Sequence, residues 1–200
     1  MARLKKGYPD AHCELDSNSP FQLLIATILS AQCTDVRVNL VTKVLFARFP
    51  DARSMSQASL AELEEIVHST GFYKNKAKNI QDCAQKLVDF EVGQVPATIE
   101  ALIQLPGVGR KTANVVLGNA LGITSGIVVD THVGRLARRF GWTDEVDPLK
   151  VESALQRQIK HEDWVLVSHL LIWHGRRVCA ARNPKCDSCF LFDRCPRLGL

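Results

Sequence analysis

Residues 102–117 read Leu-Ile-Gln-Leu-Pro-Gly-Val-Gly-Arg-Lys-Thr-Ala-Asn-Val-Val-Leu, and this stretch decides the fold. Gly107 and Gly109 bracket a turn between two runs of apolar residues with helical spacing. Because glycine tolerates positive φ and close backbone approach, the chain can reverse its direction here. The small side chain of Ala113 would let the two helices approach closely at the turn. The stretch therefore predicts a helix, a tight hairpin and a second helix, with Lys111 on the first turn of the second helix.

Two phosphate-binding loops share part of this pattern, but both need residues that the chain lacks. A dinucleotide-binding loop follows a strand and needs a third glycine, whereas here a helical pattern precedes the turn and Thr112 follows it. A Walker-type loop needs glycine directly before the lysine, a place that Arg110 occupies. What remains is a hairpin whose backbone N–H groups open a helix and can bind an anion. In a basic protein that anion is commonly nucleic acid, which makes Gly107, Gly109 and Arg110 candidate DNA contacts. A plain helix–helix turn would give the same pattern.

Length and charge permit DNA binding without requiring it. The chain has 200 residues, 46% of them hydrophobic, and a net charge of +4, which suits one domain or two small ones with a real core. The N-terminus lacks the apolar run of a signal peptide. The longest apolar stretch, residues 164–173, is too short and too interrupted to span a bilayer. We therefore expect a cytoplasmic, nucleoid-associated monomer that does not enter the membrane.

Helix-capping signals recur along the chain and predict an all-α fold with about ten helices. Residues 72–76 are expected to form an aromatic and basic loop, and residues 127–129 a buried extended segment, since no other strand pattern could pair with this β-branched run. The first 17 residues carry little signal. Side chains that can cap a following helix are Ser19, Thr34, Ser59, Thr98, Asp130, Asp147 and Asp163.

Four of the seven cysteines lie in the last 22 residues with the spacing Cys-x6-Cys-x2-Cys-x5-Cys, namely Cys179, Cys186, Cys189 and Cys195. An odd cysteine count without a secretory signal argues against a disulfide framework. Four cysteines fit a 4Fe-4S cluster. Structural zinc is the competitor, but zinc modules usually contain two close pairs, and this stretch has a single Cys-x2-Cys. Cys33 and Cys83 lie in helical patterns and are expected to be small buried hydrophobes.

The cysteine segment is also the most basic part of the chain. It holds six basic and two acidic residues between Arg176 and Arg197. Arg182 and Lys185 lie between two of the cysteines, on a loop that a metal centre would hold at both ends. Such a loop suits phosphate contact, although the same charges could simply offset the thiolates and keep the tail soluble.

Lys111 and Asp130 are candidates for covalent chemistry on a nucleotide. The positive end of the helix dipole and the adjacent Arg110 both disfavour a further positive charge on Lys111, and so favour its free, nucleophilic amine. An amine that attacks C1′ of a sugar would expel the base and form a Schiff base, which allows β-elimination of the 3′ phosphate. A carboxylate at Asp130 would stabilise the positive charge that develops on the sugar. The simpler role of Asp130 is to cap its helix.

Three motifs together resemble the endonuclease III family of bifunctional DNA glycosylase/AP lyases. They are residues 105–113, the Val-Asp-Thr-His-Val of residues 129–133, and the cysteine tail. The resemblance runs from about Ser19 to Cys195. It implies the helix-hairpin-helix glycosylase fold, with a six-helix domain at residues 15–124. Residues 1–14 and 125–200 would form a discontinuous helical domain that holds a 4Fe-4S cluster, with DNA in the cleft between the domains.

Carried over by position, the family's roles fall on identifiable residues of this chain. Lys111 resembles the nucleophile, Asp130 the catalytic carboxylate, and the four tail cysteines the cluster ligands. Gln32 resembles the residue that fills the gap left by the flipped nucleotide, and His132 lies at a position near the lesion-side backbone. Phe72 stands where the family usually has Leu or Ile as a second wedge into the duplex.

The implied substrate is double-stranded DNA with oxidised or ring-saturated pyrimidines, such as thymine glycol, or with abasic sites. The damaged base must leave the stack, and damage lowers the cost of doing so. Lys111 and the end of the chain at Leu200 argue against an adenine-mismatch enzyme of the same fold. A pyrimidine-dimer glycosylase and a non-catalytic iron–sulfur DNA-binding module remain alternatives.

Overall fold

The chain folds into helices joined by short turns. In this computed structural model the description covers residues 1–90 and 92–200 in full, and residue 91 only as part of a helix backbone. Within that description there are eleven α-helices and no strand, together with 3-10 turns at His68–Thr70 and His161–Asp163. The helices are α1 (Ala2–Gly7), α2 (Pro20–Leu29), α3 (Asp35–Arg48), α4 (Ala52–Ser56), α5 (Leu60–Val67), α6 (Tyr73–Glu91), α7 (Ile99–Leu102), α8 (Arg110–Ala120), α9 (Thr131–Arg139), α10 (Pro148–Gln156) and α11 (Trp164–Arg177). The predicted all-α class is confirmed.

Side-chain caps fix most helix starts where the sequence predicts them. Ser19, Thr34, Ser59, Thr98, Asp130 and Asp147 each accept a hydrogen bond from a backbone N–H in the first turn of the helix that follows. Each bond satisfies a donor that the helix geometry leaves without a partner. Asp163 is at the N-cap position of α11, which begins at Trp164 as predicted, but its carboxylate makes no capping bond and instead pairs with Lys5 Nζ at 2.6 Å.

Two helices have no predicted counterpart. α1 lies in the first 17 residues and buries Leu4. α4 is only five residues long, begins with an Asp51–Ser54 capping box and buries Met55. Both helices are too short to show a helical repeat of apolar residues in the sequence, so packing rather than periodicity defines them.

The expected loop at residues 72–76 is wrong. Helix α6 begins at Tyr73, so the loop is reduced to the turn at Gly71 and Phe72, whose φ angles are 72° and 48°. Lys76 is 5% exposed, and its Nζ donates to the carbonyl of Thr70 at 2.7 Å. A lysine that satisfies the end of the preceding 3-10 turn belongs to the core of this corner.

The helices form two units with separate cores. The continuous unit is Glu14–Ile123, and the discontinuous unit combines Met1–Cys13 with Thr124–Leu200. In the continuous unit α2 packs against α8, and α6 packs against α4 and α5. In the discontinuous unit α9 packs against α10 and α11, and α1 packs against α11. Both cores consist mainly of aliphatic side chains.

The two cysteines expected in the core behave differently. Cys83 is fully buried in α6, and burial raises the pKa of its thiol to about 12, which makes it a small hydrophobe as predicted. Cys33 lies in a bend before α3 rather than in a helix and is only partly buried. The apolar pattern of α2 ends at Leu29, and the turn that follows it carries Cys33 out of helical geometry.

Candidate functional site

The predicted hairpin connects α7 to α8. Backbone bonds from Leu105 N to Leu102 O and from Val108 N to Leu105 O, at 3.0 and 3.1 Å, form the turn. Gly107 has a φ of 76°, and a Cβ built there would approach Asn79 and Ile28 at 3.1–3.2 Å. Both the backbone conformation and the packing therefore require glycine at this position.

Gly109 serves a different purpose from Gly107. Its φ is −99°, which any residue can adopt, so of the two hairpin glycines only Gly107 has a positive φ. It is the N-cap of α8 without a side-chain capping bond, and a Cβ built there would meet nothing within 4 Å. Nothing in the protein's own packing requires a glycine here. A bare backbone in open space at a helix N-terminus is suited to the close approach of an anion.

Lys111 lies on the first turn of α8, as predicted, and both Arg110 and Lys111 are exposed. The opposite face of the helix is anchored in the core by Ala113, Val116 and Leu117, which are at most 1% exposed. The buried face fixes the helix, so the N-terminal turn presents its amine from a rigid support. This is the arrangement that a positioned nucleophile requires.

Gln32 and Phe72 share an unusual backbone conformation. Both are exposed, and their φ angles are 54° and 48°, in the left-handed region that residues other than glycine rarely adopt. Each such conformation costs about 1–3 kcal/mol and is maintained only where the surroundings enforce it. Lys76 supports the turn at Phe72, because its Nζ donates to the carbonyl of Thr70. Burial lowers the pKa of this lysine, and an electrostatic interaction with Cys33 opposes that shift.

Asp130 ends the buried extended segment that the sequence predicts. Val128 N donates to Ser168 Oγ at 3.0 Å, and Asp130 Oδ1 accepts a bond from Val133 N at 2.8 Å. The carboxylate is therefore fixed at the N-terminus of α9, where it satisfies a backbone donor of the first helical turn. Asp130 therefore caps α9. Its side chain is half-buried.

His132 lies on the first turn of α9 and is half-buried. Arg135 Nη2 lies 3.2 Å from its Nδ1, and since a guanidinium only donates, Nδ1 is the acceptor. Burial lowers the pKa of His132, while Asp130 opposes this and Arg135 adds to it. A neutral ring with its proton on Nε2 is the form that this environment favours.

The four tail cysteines line one cavity in the discontinuous unit, together with Arg139 and His174. The cavity has an empty volume of about 340 Å³, part of it open to solvent. None of the four forms a disulfide. Among the residues that the structure describes, no three His, Cys, Asp or Glu side chains are grouped closely enough to hold one metal ion.

Several N–H groups point at the cysteine sulfurs. Arg139 Nη1 donates to Cys179 Sγ at 3.2 Å, and Leu191 N donates to Cys189 Sγ at 3.4 Å. His174 Nε2 lies 3.5 Å from the same Cys189 sulfur. Burial lowers the pKa of His174 to about 4, so its ring is neutral at pH 7. Donors aimed at sulfur are suited to stabilising thiolates.

Arg135 and Arg139 are functional residues that the sequence interpretation misses. Arg139 is 7% exposed and donates to the carbonyls of Ala180 and Ala181 at 2.7 and 3.0 Å. Arg135 Nη2 donates to the carbonyl of Cys179 at 2.9 Å. The two arginines thus hold the start of the cysteine loop against α9. No sequence signal marks this role, because two arginines four residues apart on a basic helix resemble exposed charges.

The predicted phosphate contacts on the cysteine loop are accessible. Arg182 and Lys185 are both exposed, and the loop between them turns at Asn183, which has a φ of 50°. Lys185 N donates to the carbonyl of Val178 at 3.0 Å, which ties this end of the loop to the end of α11. A loop that is fixed at both ends can present its charges with little loss of conformational entropy.

The predicted site residues divide between the two units. Gln32, Phe72, the hairpin glycines, Arg110 and Lys111 belong to the continuous unit, and Asp130, His132, Arg182, Lys185 and the four cysteines to the discontinuous one. No helix that the structure describes is both long and apolar enough to cross a membrane.

The sequence is similar to those of known DNA repair proteins. A family model described as HhH-GPD superfamily base excision DNA repair protein matches residues 25–161. Endonuclease III of Synechocystis is 54% identical over 193 residues, which are 96% of this chain and 88% of that protein. Endonuclease III of Bacillus subtilis is 45% identical over 191 residues, 94% of this chain and 86% of the relative.

Solved structures give the same result. A non-covalent endonuclease III–DNA complex superposes with a TM-score of 0.93 at 45% identity, covering 98% of this chain and 92% of that chain. A trapped covalent endonuclease III–DNA intermediate gives the same TM-score, identity and coverage. A thermostable thymine-DNA glycosylase, at 19% identity and a TM-score of 0.84 over 98% of this chain and 93% of that chain, shares the fold.

Proposed function

The chain belongs to the endonuclease III family within the HhH-GPD superfamily of base excision DNA repair proteins, and from this premise we propose that it is a bifunctional DNA glycosylase and AP lyase. Its substrate is double-stranded DNA with oxidised or ring-saturated pyrimidines, or with abasic sites. The observation that carries the proposal is the exposed Lys111 on the first turn of α8, two residues after the bare backbone of Gly109. An anion-binding turn and an amine nucleophile are adjacent on one rigid helix.

Lys111 performs the covalent step. The neutral Nζ attacks C1′ of the damaged nucleotide, the bond from C1′ to the base breaks, and the base leaves with the electron pair and takes up a proton. Opening of the sugar ring and loss of a proton from nitrogen give a Schiff base. The imine acidifies the C2′ proton, so removal of that proton expels the 3′ phosphate and cleaves the strand. Water then hydrolyses the imine and restores the amine.

Asp130 supports this reaction as an ionised carboxylate. The sugar becomes positively charged as the base departs, and a fixed negative charge stabilises that transition state. The bond from Val133 N holds one carboxylate oxygen in place, so the group does not need to reorganise during the reaction. His132 contacts the DNA backbone on the lesion side through its exposed portion.

Gln32 and Phe72 keep the damaged nucleotide out of the duplex. Both side chains project from strained turns of the continuous unit, and neither turn is needed to fill the core. An exposed aromatic ring and a polar amide are suited to replacing the stacking and pairing of an extruded base. Their strained backbones are what a pre-organised wedge would require.

The four tail cysteines hold a 4Fe-4S cluster, and the discontinuous unit serves as the cluster domain. The four cysteines line one cavity, and their single Cys-x2-Cys with two longer arms suits four thiolate ligands of one cluster better than the two close pairs that are usual in zinc modules. Cys179, Cys186, Cys189 and Cys195 would hold the cluster, which would hold together the loop that carries Arg182 and Lys185.

A panel of duplexes tests the proposed activity. We expect base release and strand cleavage with thymine-glycol and abasic duplexes, and no reaction with an undamaged duplex. Cleavage of a cyclobutane-dimer duplex but not of the thymine-glycol duplex would support the pyrimidine-dimer alternative. Tight binding without cleavage of any duplex would indicate a non-catalytic module.

Asp130→Asn separates the catalytic role of the carboxylate from its capping role. Asparagine caps helices as well as aspartate does, so the variant should unfold at a temperature close to that of the wild type. The loss of negative charge should lower the rate of base release by about 100-fold or more. A variant with wild-type activity would restrict Asp130 to capping.

Metal analysis tests the cluster independently of activity. We expect about four iron and four acid-labile sulfide per chain. Zinc in place of iron would overturn the cluster assignment and leave the glycosylase proposal standing.

A further inference from the structure

His174 lies at the centre of a buried chain of hydrogen bonds in the discontinuous unit. It is on α11 and has 0% exposure. Its Nδ1 lies 2.9 Å from the hydroxyl of Tyr8, and its Nε2 lies 3.5 Å from Cys189 Sγ. Its carbonyl also accepts bonds from Val178 N and Cys179 N at 3.0 and 2.8 Å. One residue thus contacts two of the four tail cysteines.

The protonation state of a ligating sulfur determines which groups donate and which accept in this series of hydrogen bonds. A ligating thiolate has no proton, so it can only accept a bond and Nε2 must be the donor. In a neutral imidazole the other nitrogen is then an acceptor, so the Tyr8 hydroxyl donates to Nδ1. The order is therefore Tyr8 O–H to His174 Nδ1, and His174 Nε2–H to Cys189 Sγ.

Packing places Tyr8 independently of its hydroxyl group. Tyr8 follows Gly7, where a Cβ would lie 2.5 Å from Phe190 Cζ, so only glycine allows this close approach. The Tyr8 ring makes edge contacts with Phe190 and Trp173, with centroids 5.6 and 6.2 Å apart. The side chain is 8% exposed. The ring would remain in place without its oxygen, which makes a clean test possible.

We propose that Tyr8 and His174 are positioning residues for the metal cluster, acting as a directed relay that supplies an N–H bond to the sulfur of Cys189. This inference rests on the cluster assignment of the proposed function. An N–H dipole directed at the sulfur stabilises the added electron of the reduced state, so the relay raises the reduction potential of the cluster. Tyr8 strengthens the bond by polarising the imidazole from its far side.

The test compares the purified holoprotein with Tyr8→Phe, His174→Phe and the double variant. The midpoint potential of the cluster is measured by protein-film voltammetry without DNA, and iron and sulfide are determined on each sample. Tyr8→Phe should retain its iron and shift the potential to a lower value. His174→Phe should shift it further and lose iron to a chelator several-fold faster. If that variant does not fold, Tyr8→Phe alone still decides the matter.

The double variant tests the order of the relay. With His174 absent, Tyr8 has no route to the sulfur, so Tyr8→Phe should cause no additional shift. Trp173→Phe is the matched control. Trp173 contacts the Tyr8 ring, but its Nε1 has no hydrogen-bond partner among the described groups, so the potential should stay at the wild-type value.

The outcomes separate the two claims. Wild-type protein without iron would refute the cluster assignment on which the relay depends. Wild-type protein with a full cluster, but with the same potential in Tyr8→Phe, would overturn the relay and leave the cluster assignment intact. An equal Tyr8→Phe shift with and without His174 would also overturn the relay.

Discussion

Phe72 and Val92 are two residues with nearly the same backbone strain but different expected roles. Their φ angles are 48° and 51°, and they are 68% and 88% exposed. Glycine relieves left-handed strain, so Phe72→Gly and Val92→Gly should each leave stability unchanged or raise it by up to about 1 kcal/mol.

Only the Phe72 substitution should affect repair. If Phe72 is a wedge, Phe72→Gly should slow base release from a thymine-glycol duplex by about 10-fold and slow cleavage at an abasic site less. Single-turnover assays and thermal unfolding of both variants give the comparison. Equal activity of the two glycine variants would remove Phe72 from the DNA-binding residues.

His169 makes the stability of the fold depend on pH. Burial lowers its pKa to about 4, and His12 acts in the same direction. The ordinary pKa is about 6.5, so the unfolded chain binds the proton first as the pH falls. The neutral His169 therefore contributes fully to the free energy of unfolding above about pH 6.5. As the pH falls to about 4 this contribution is progressively lost, and the loss at pH 5 is at most about 2 kcal/mol. Urea unfolding at pH 7 and pH 5 should show a smaller pH effect in His169→Gln than in the wild type, and identical pH effects would refute this origin.

Candidate residues for covalent or metal-binding chemistry can be proposed from the sequence because such chemistry depends on residue type and spacing. Lys111 after the Gly-x-Gly turn and the four tail cysteines are of this kind. Arg135 and Arg139 are not, because in the sequence they resemble solvated charges on a helix. Only the folded loop shows that their guanidinium groups bind the carbonyls of Cys179, Ala180 and Ala181.

Among the elements, the hairpin offers a matched pair of glycines. Gly107→Ala should destabilise the protein by about 1–3 kcal/mol, because its φ is 76° and the added Cβ meets Asn79 and Ile28 at 3.1–3.2 Å. Gly109→Ala has an ordinary φ and open space, so its stability should change by less than about 1 kcal/mol. If a DNA phosphate binds at this helix N-terminus, the same methyl group should weaken binding to an abasic duplex, because it would occupy the open space beside Gly109. Urea unfolding and DNA titration of both variants test this, and wild-type DNA binding by Gly109→Ala would contradict it.

Helices could be predicted from the sequence where a cap begins a long apolar repeat, as at Ser19 and Ser59. The prediction failed where tertiary packing, not periodicity, defines the element. α1 is held by buried Leu4 and α4 by buried Met55, and the start of α6 depends on Lys76 reaching back to Thr70. Such contacts join residues whose spacing has no helical signature.

For the molecule as a whole, the net charge of +4 predicts DNA binding that weakens with salt. Arg182→Ala and Lys185→Ala should each reduce the slope of log affinity against log salt by about 1, if each side chain contacts one phosphate. Lys150→Ala is the control and should leave the slope unchanged. Lys150 is exposed, and its Nζ lies 3.9 Å from Glu145 Oε2. Fluorescence anisotropy with one abasic duplex over a range of salt concentrations measures all three. Unchanged slopes for both loop variants would mean that the cysteine loop does not contact DNA.

The central claim is that Lys111 forms a Schiff base with DNA, and reductive trapping tests it most directly. The wild-type protein is incubated with an abasic duplex and sodium borohydride, and the product is resolved by denaturing electrophoresis and mapped by peptide mass spectrometry. Lys111→Arg, which keeps the positive charge but lacks the nucleophilic amine, is the matched variant. We expect a covalent adduct on Lys111 in the wild type and none in Lys111→Arg, although that variant still binds the duplex. An adduct of wild-type yield in Lys111→Arg, or no adduct in the wild type, would contradict it.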